Sequence, residues 1–471
     1  MIVPQNRLLL WFAVIVLPFA LLMAVEPAAG VVSLALIGAL AMAAVVDAIG
    51  ARNSLAGITV ALPEIARMSK DREAKLELRI RNERQNQHTL RVALGFPREI
   101  QSPQEDVQVL LPRDTEWSRF SWICLPLKRG SYRIDTACLA ASSPFGFWSV
   151  RKTVPVRSEL RVYPNLFTER RNLAALFLHR GAFGLHAQRQ LGKGREFEKL
   201  REYVPGDGYD EIHWKATARR GHPITKVFQI ERTQEVYVVI DASRLSAREA
   251  VSGARESGSG ARGQVSGGNS MMAEPDTAHL TPGTSTLERF VTAALVLGLA
   301  AEQQGDLFGL LTFTDRVGKF IRARNGKAHY SACRDALYTL QPQIVSPDYD
   351  EVCTFIRLRL RRRALLVFLT SLDDPVVADS FVKNMDLIRR QHLVLVNMLQ
   401  PPGVAEVFTN PNIAVMDDLY QHLGGHLLWH NLRELEKVLQ RRGVHFSLLK
   451  NEKLSAELVS QYLGVKRRQL L

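Results

Sequence analysis

The residues best equipped for chemistry lie together in GKGREFEKLREYVPGDGYDEIHWKATARRG, Gly192 to Gly221, just ahead of the apolar run VYVVIDASRLS. Glu196, Arg201, Tyr203, Gly206, Asp207, Trp214, Lys215 and Arg219 bring carboxylate, guanidinium, ammonium and aromatic groups close to one Pro-Gly turn. Such a set serves an acid–base site, a binding face or an ion-pair network. A general base needs a substrate proton within reach and a tuned pKa, and spacing supplies neither. The turn itself has a simple reading: Gly206 and Gly208 permit positive φ, and Asp207 bonds back to neighbouring amides. Glu196, Arg201, Asp207, Lys215 and Arg219 are then expected to converge around the Trp214 indole, locking the segment onto the domain that follows. No catalytic residue is assigned; the set reads as a structural and interaction motif.

Asp241 and Ser243 close the apolar run, where a carboxylate and a hydroxyl can share a hard divalent cation such as Mg²⁺. DASRLS resembles the start of the metal-ion-dependent adhesion site of von Willebrand factor A domains, Asp-x-Ser-x-Ser, with Leu245 at the third position. The resemblance implies a later Asp after another strand. Here LLVFLTSLDDP offers Thr370 and Ser371 instead, with Asp373 and Asp374 two and three residues late. Asp241 and Ser243 are therefore a degenerate metal candidate, Mg²⁺ an optional bridge to a partner carboxylate, and Asp241 capping the next turn is the structural counterpart.

Other signatures are missing. There is no G-x-S-x-G elbow, Walker A loop or H-E-x-x-H, which removes the commonest hydrolase, NTPase and zincin patterns. His422, His426 and His430 recur every four residues, but Gly424 and Gly425 are expected to break any helix that would align them. Cys124, Cys138, Cys333 and Cys353 form no C-x-x-C pair and read as reduced core thiols. The net charge of +14 is spread along the chain without an aromatic platform, so it argues for a membrane surface over nucleic acid.

These residues need a scaffold. Residues 1–52 hold two uncharged apolar runs, 8–25 and 31–46, each near the length that crosses a bilayer. Arg7 and Arg52 flank the pair, so both ends are expected in the cytoplasm, giving a multi-pass membrane protein with its body inside. From 53 to 165, short alternating segments predict a β-sandwich-like domain, with KRGSYRI and SSPFGFW as turns. Residues 166–234 carry the motif. From 235 to 471, alternating strands and helices predict an open α/β, Rossmann-type sheet. Residues 249–283, rich in Gly and Ser, read as a disordered insertion at its carboxyl edge. The basic runs IRLRLRRRALL and VKRRQLL read as solvated faces, with lipid headgroups as the alternative contact.

Glu-Phe at 196–197, Arg-x-Tyr-x-x-Gly-Asp at 201–207 and Ile-x-Trp-x-x-x-Ala-Arg at 212–219, just before a von Willebrand A-like sheet, resemble the bacterial domain of unknown function 58 family. Asp210 departs from that pattern, where a basic residue is common. The resemblance implies a membrane-bound adaptor, not an enzyme, that works with a MoxR-type AAA+ ATPase and presents a client protein for maturation or assembly. The rival is a metal-dependent hydrolase or phosphotransferase using Asp207 and Asp241. Convergence of Asp207, His213 and Asp241 in a deep pocket would favour the rival, and solvent-facing charges the adaptor.

Overall fold

A computed structural model describes residues 1–25, 30–85, 88–171, 173, 191–204, 208–229, 234–248, 285–404 and 416–468. The chain divides into two compact units, Met1–Asn165 and Leu166–Leu471.

In the first unit the apolar amino-terminal runs are helical. Asn6–Trp11 (α1) passes through a π-turn at Phe12–Val16 into Leu17–Val25 (α2), and Gly30–Ala51 (α3) follows. Among the described residues α3 alone is long and apolar enough to cross a membrane, whereas the first helix counts as a shorter apolar one. Strands β2 (Ile58–Ala61), β4 (Ala74–Asn82), β8 (Trp117–Pro126) and β6 (Ile100–Gln101) make one sheet, in that order. Strands β1 (Ile2–Pro4), β10 (Trp148–Tyr163), β9 (Gly130–Ser142), β5 (His88–Leu94) and β7 (Val107–Leu111) make the other, with β3 (Ile65–Ser69) parallel to β10. Alternation drives this: Leu76, Leu78 and Ile80 of β4 point inward and join Leu90, Val92, Trp122 and Leu160 in one shared core. Two sheets over one core is a sandwich. Pro155 sits at a register shift of β10, between the stretches that β1 and β3 pair, so the missing N–H costs no ladder bond on that side.

The second unit is built on a six-stranded sheet of order β15-β14-β13-β16-β17-β18. The strands are β13 (Glu235–Asp241), β14 (Leu307–Phe313), β15 (Val317–Arg324), β16 (Leu365–Leu369), β17 (Leu393–Leu399) and β18 (His445–Leu449). All neighbours are parallel except β15, which is antiparallel at the edge. Counted along this unit the order is 3-2-1-4-5-6, the doubly wound arrangement, and its switch point lies between β13 and β16. β13 and β16 are buried on both sides, as continuous apolar runs in parallel sheets are. Helices Thr286–Gln303, Lys327–Leu337 and Leu454–Arg468 pack on one face, and Tyr349–Arg359, Pro375–Met385 and Met416–Arg441 on the other. Leu166 and Leu173 of the motif-bearing segment join the first of these cores.

Several expectations need correction. Gly424 and Gly425 do not break the helix Met416–Arg441; a Cβ at Gly425 would collide with the Gly403 carbonyl, so glycine is there for close packing. No group of three metal-competent side chains occurs among the described residues, and His426 instead stacks on Trp429 with ring centroids 5.7 Å apart. IRLRLRRRALL is not one solvated face: Ile356, Leu360 and Ala364 are buried where helix Tyr349–Arg359 hands over to β16. The tail VKRRQLL belongs in part to the helix Leu454–Arg468, where Lys466 reaches the buried Asp306 at 2.8 Å. Cys138 is exposed, unlike the three buried thiols. The proposed insertion at 249–283 lies outside the described residues.

Candidate functional site

Asp241 ends β13 at the switch point of the doubly wound sheet, the edge where ligands of such folds bind. Its side chain nevertheless turns inward and is 0 % exposed. Oδ1 accepts the Ser243 N–H at 2.8 Å, closing an Asx-type turn, and Oδ2 accepts the Thr370 hydroxyl at 2.6 Å. The Thr370 hydroxyl is 2.8 Å from the Tyr349 phenol, so Tyr349, Thr370 and Asp241 form a buried chain of three groups. Ser243 is spent in the turn as well, its Oγ accepting the Leu245 N–H at 3.4 Å, while the Ser246 hydroxyl donates to the Ser243 carbonyl at 2.8 Å.

Burial outweighs these hydrogen bonds and pushes the Asp241 carboxyl above its ordinary range. The Tyr349 phenol is pushed up too, first by burial and then by the Asp241 charge. The Cys333 and Cys353 thiols are raised to about 12 by burial, which removes them as nucleophiles near neutrality.

The donor set fits Mg²⁺ poorly. Both Asp241 oxygens already accept protein hydrogens, Leu245 is buried where a third hydroxyl ligand belongs, and Thr370 supplies a donor where a carboxylate is needed. The two late carboxylates are committed elsewhere: Asp373 pairs with Arg248, and Asp374 caps helix Pro375–Met385 through the Val376 N–H with Arg244 at 3.8 Å. No chemical step is routed through a metal.

The motif region has the opposite character. Strands β11 (Leu191–Glu202) and β12 (Ile224–Gln229) form a two-stranded antiparallel hairpin, and Trp214–Arg220 (α4) lies between them in sequence. Glu196 is on β11 in register with Gln229, and Arg201 is paired with Thr225. Gly206 and Asp207 lie outside the described residues. The His213 Nδ1 accepts the Ala216 N–H at 3.0 Å and so caps α4, which occupies the ring nitrogen a base would use. Gly221, at φ 72°, ends the helix in the left-handed conformation. Inward, Ile212, Ile224 and Thr225 are buried, and Thr217 fixes the Ile224 N–H at 3.0 Å.

Outward, Trp214 is 68 % and Tyr209 77 % exposed. Lys215, Arg219 and Arg220 are exposed on α4, and Tyr203 lies 6.4 Å from the Tyr209 ring. The Trp214 indole faces outward, and among the described residues neither Lys215 nor Arg219 makes an ion pair; Asp207 and the Glu196 side chain lie outside the described residues. Sequence reasoning missed Tyr209 and Tyr349. The acidic run Asp348-Tyr349-Asp350-Glu351 carried a signal for the second, because an Asp cap followed by acidic residues marks a helix start.

Residues 199–256 and 275–406 match the family model described as protein of unknown function DUF58. The matched residues include the end of β11, α4, β12 and the sealed edge at Asp241. No protein of curated function matches the chain. Similar solved structures include an aerotolerance-related membrane protein from Bacteroides fragilis, 11 % identical over 50 % of this chain and 100 % of that one, with a TM-score of 0.29. They also include BatB from Bacteroides thetaiotaomicron, 12 % identical over 50 % of this chain and 99 % of that one, with a TM-score of 0.29. A CARDB domain from Pyrococcus furiosus is 15 % identical over 22 % of this chain and 91 % of that one, with a TM-score of 0.16. Likenesses this distant transfer no activity to this chain.

Proposed function

We propose that this DUF58 protein is a membrane-anchored, non-enzymatic adaptor that docks a partner protein on the surface formed by Tyr209, α4 and their neighbours. One observation carries the reading: the motif turns Trp214 and Tyr209 to solvent beside Lys215, Arg219 and Arg220, while the carboxylate at the sheet edge, Asp241, is sealed in the core. Exposed Trp, Tyr and Arg are the residue types that dominate binding energy at protein interfaces. A cationic rim favours an acidic partner face and speeds its encounter. The DUF58 resemblance supplies the partner class, a MoxR-type AAA+ ATPase, with a client protein as the third member.

The doubly wound order with an antiparallel edge strand supports a von Willebrand A-like α/β unit. The apolar helix α3 supports the anchor, and Arg7 and Arg52 outside the apolar segments favour a cytoplasmic body. The test is affinity capture with full-length protein solubilised in detergent from its native membrane, with and without ATP and Mg²⁺. An AAA+ ATPase recovered in a nucleotide-dependent manner is the expected result. Pure, folded protein that recovers none contradicts the proposal.

A further inference from the structure

The end of α3 is clasped by the sandwich. Asp47, buried one turn before the helix ends, accepts the Ser143 hydroxyl at 2.5 Å, the Phe145 N–H at 2.9 Å and the Phe147 N–H at 3.1 Å. The Trp148 indole donates to the Ala44 carbonyl at 2.8 Å, and a Cβ at Gly50 would touch Pro144. The β9–β10 turn therefore runs alongside α3 from the level of Ala44 to that of Gly50, about 9 Å along the axis at 1.5 Å per residue. The amino terminus joins the same clasp. β1 pairs with β10 at Trp148–Val150, the Gln5 N–H donates to the Phe147 carbonyl at 2.8 Å, and α1 starts immediately afterwards.

This geometry fixes the depth of the turn. The uncharged part of α3 ends at Val46, so a bilayer spanned by α3 has its boundary beside Asp47, and the turn straddles it. Asp47 is not left bare there, because the turn satisfies it with three donors. Phe145 does remain bare: it is 58 % exposed, with Phe147 6.3 Å away, and Gly146 takes φ 75° to let the turn close against Arg7. Arg7, Arg52 and Arg151 are exposed around the clasp. Aromatic side chains at the span boundary, ringed by arginines, match the headgroup layer of an anionic bilayer.

Resting on the reading that α3 spans a membrane, we propose that the turn Ser143–Trp148 is a membrane-interface element, with Phe145 at the headgroup–acyl boundary and Arg7, Arg52 and Arg151 on anionic headgroups. The clasp then holds the sandwich against the bilayer at a set orientation.

The test uses full-length protein carrying Cys138→Ser, reconstituted in vesicles of phosphatidylglycerol and phosphatidylcholine. Spin labels are placed singly at Phe145→Cys, at Ala39→Cys on α3 and at Glu105→Cys on the far loop of the sandwich, all exposed positions. Collision rates with oxygen and with a water-soluble nickel chelate are compared. The label at 145 is expected to give an oxygen-to-chelate ratio several-fold above that at 105 and below that at 39, and to move toward the value at 105 in Arg7→Gln/Arg52→Gln protein. A label at 145 as wet as that at 105, with the label at 39 in lipid, overturns the proposal and leaves the spanning reading intact. A wet label at 39 overturns both.

Discussion

The carboxyl edge of β13 and β16 and the hairpin of β11 and β12 carry the same kinds of residue, yet they handle them in opposite ways. At the sheet edge the strands are buried on both faces, and Phe313, Tyr349 and Phe381 close over the end of β13. Asp241 is drawn inside with them and satisfied by Ser243 and Thr370. The hairpin has two strands and a seven-residue helix, and among its described residues Ile212, Ile224 and Thr225 are buried on one side. Trp214, first residue of that helix, is left on the other side. The difference teaches that burial of the surrounding element, more than the identity of a residue, decides whether an Asp or a Trp reads as a site or as structure.

Substitutions sharpen or break this contrast. Asp241→Ala strands the Ser243 N–H and the Thr370 hydroxyl in an apolar core and is expected to cost about 3 kcal/mol, measured by denaturant unfolding of full-length protein in detergent. A loss below the error of that measurement would mean the edge is open and the carboxylate free for a ligand.

A pH series makes a signed prediction. Because the folded-state pKa of Asp241 is raised, the folded protein binds more protons than the unfolded chain once pH exceeds the ordinary carboxylate value. That contribution is complete at low pH and is lost as pH rises through the raised value. Wild type should therefore lose stability relative to Asp241→Asn across that window, and a difference that is flat or grows with pH contradicts the burial. Tyr349→Phe removes one end of the hydrogen-bond chain and is expected to cost about 1 kcal/mol. Trp214→Ala stands at the other extreme: unfolding should change by no more than about 0.5 kcal/mol, while capture of the proposed AAA+ partner is lost.

Much of the fold was legible because periodicity reports burial directly. The alternation in KLELRIRN and the unbroken apolar run VYVVID led to β4 and β13, and Asp241 capping its own turn followed from Asp-x-Ser. What failed was anything that needed three-dimensional neighbours. Gly424 and Gly425 looked like breakers because the Gly403 backbone that demands a glycine at 425 is remote in sequence. The outward turn of the Trp214 indole was not legible, since nothing in the local pattern states which side of a short helix has a core behind it. SSPFGFW read as turn chemistry alone, because Asp47, which it holds, lies some hundred residues earlier.

The most direct test of the adaptor account is site-specific photo-crosslinking in native membranes, with a benzophenone side chain at position 214 and a control at position 105 of the sandwich. The account predicts an adduct with an AAA+ ATPase from 214, stronger with ATP, and none from 105. Folded protein that gives no ATPase adduct from 214, or gives it equally from both positions, contradicts the claim that the exposed motif surface is where this protein does its work.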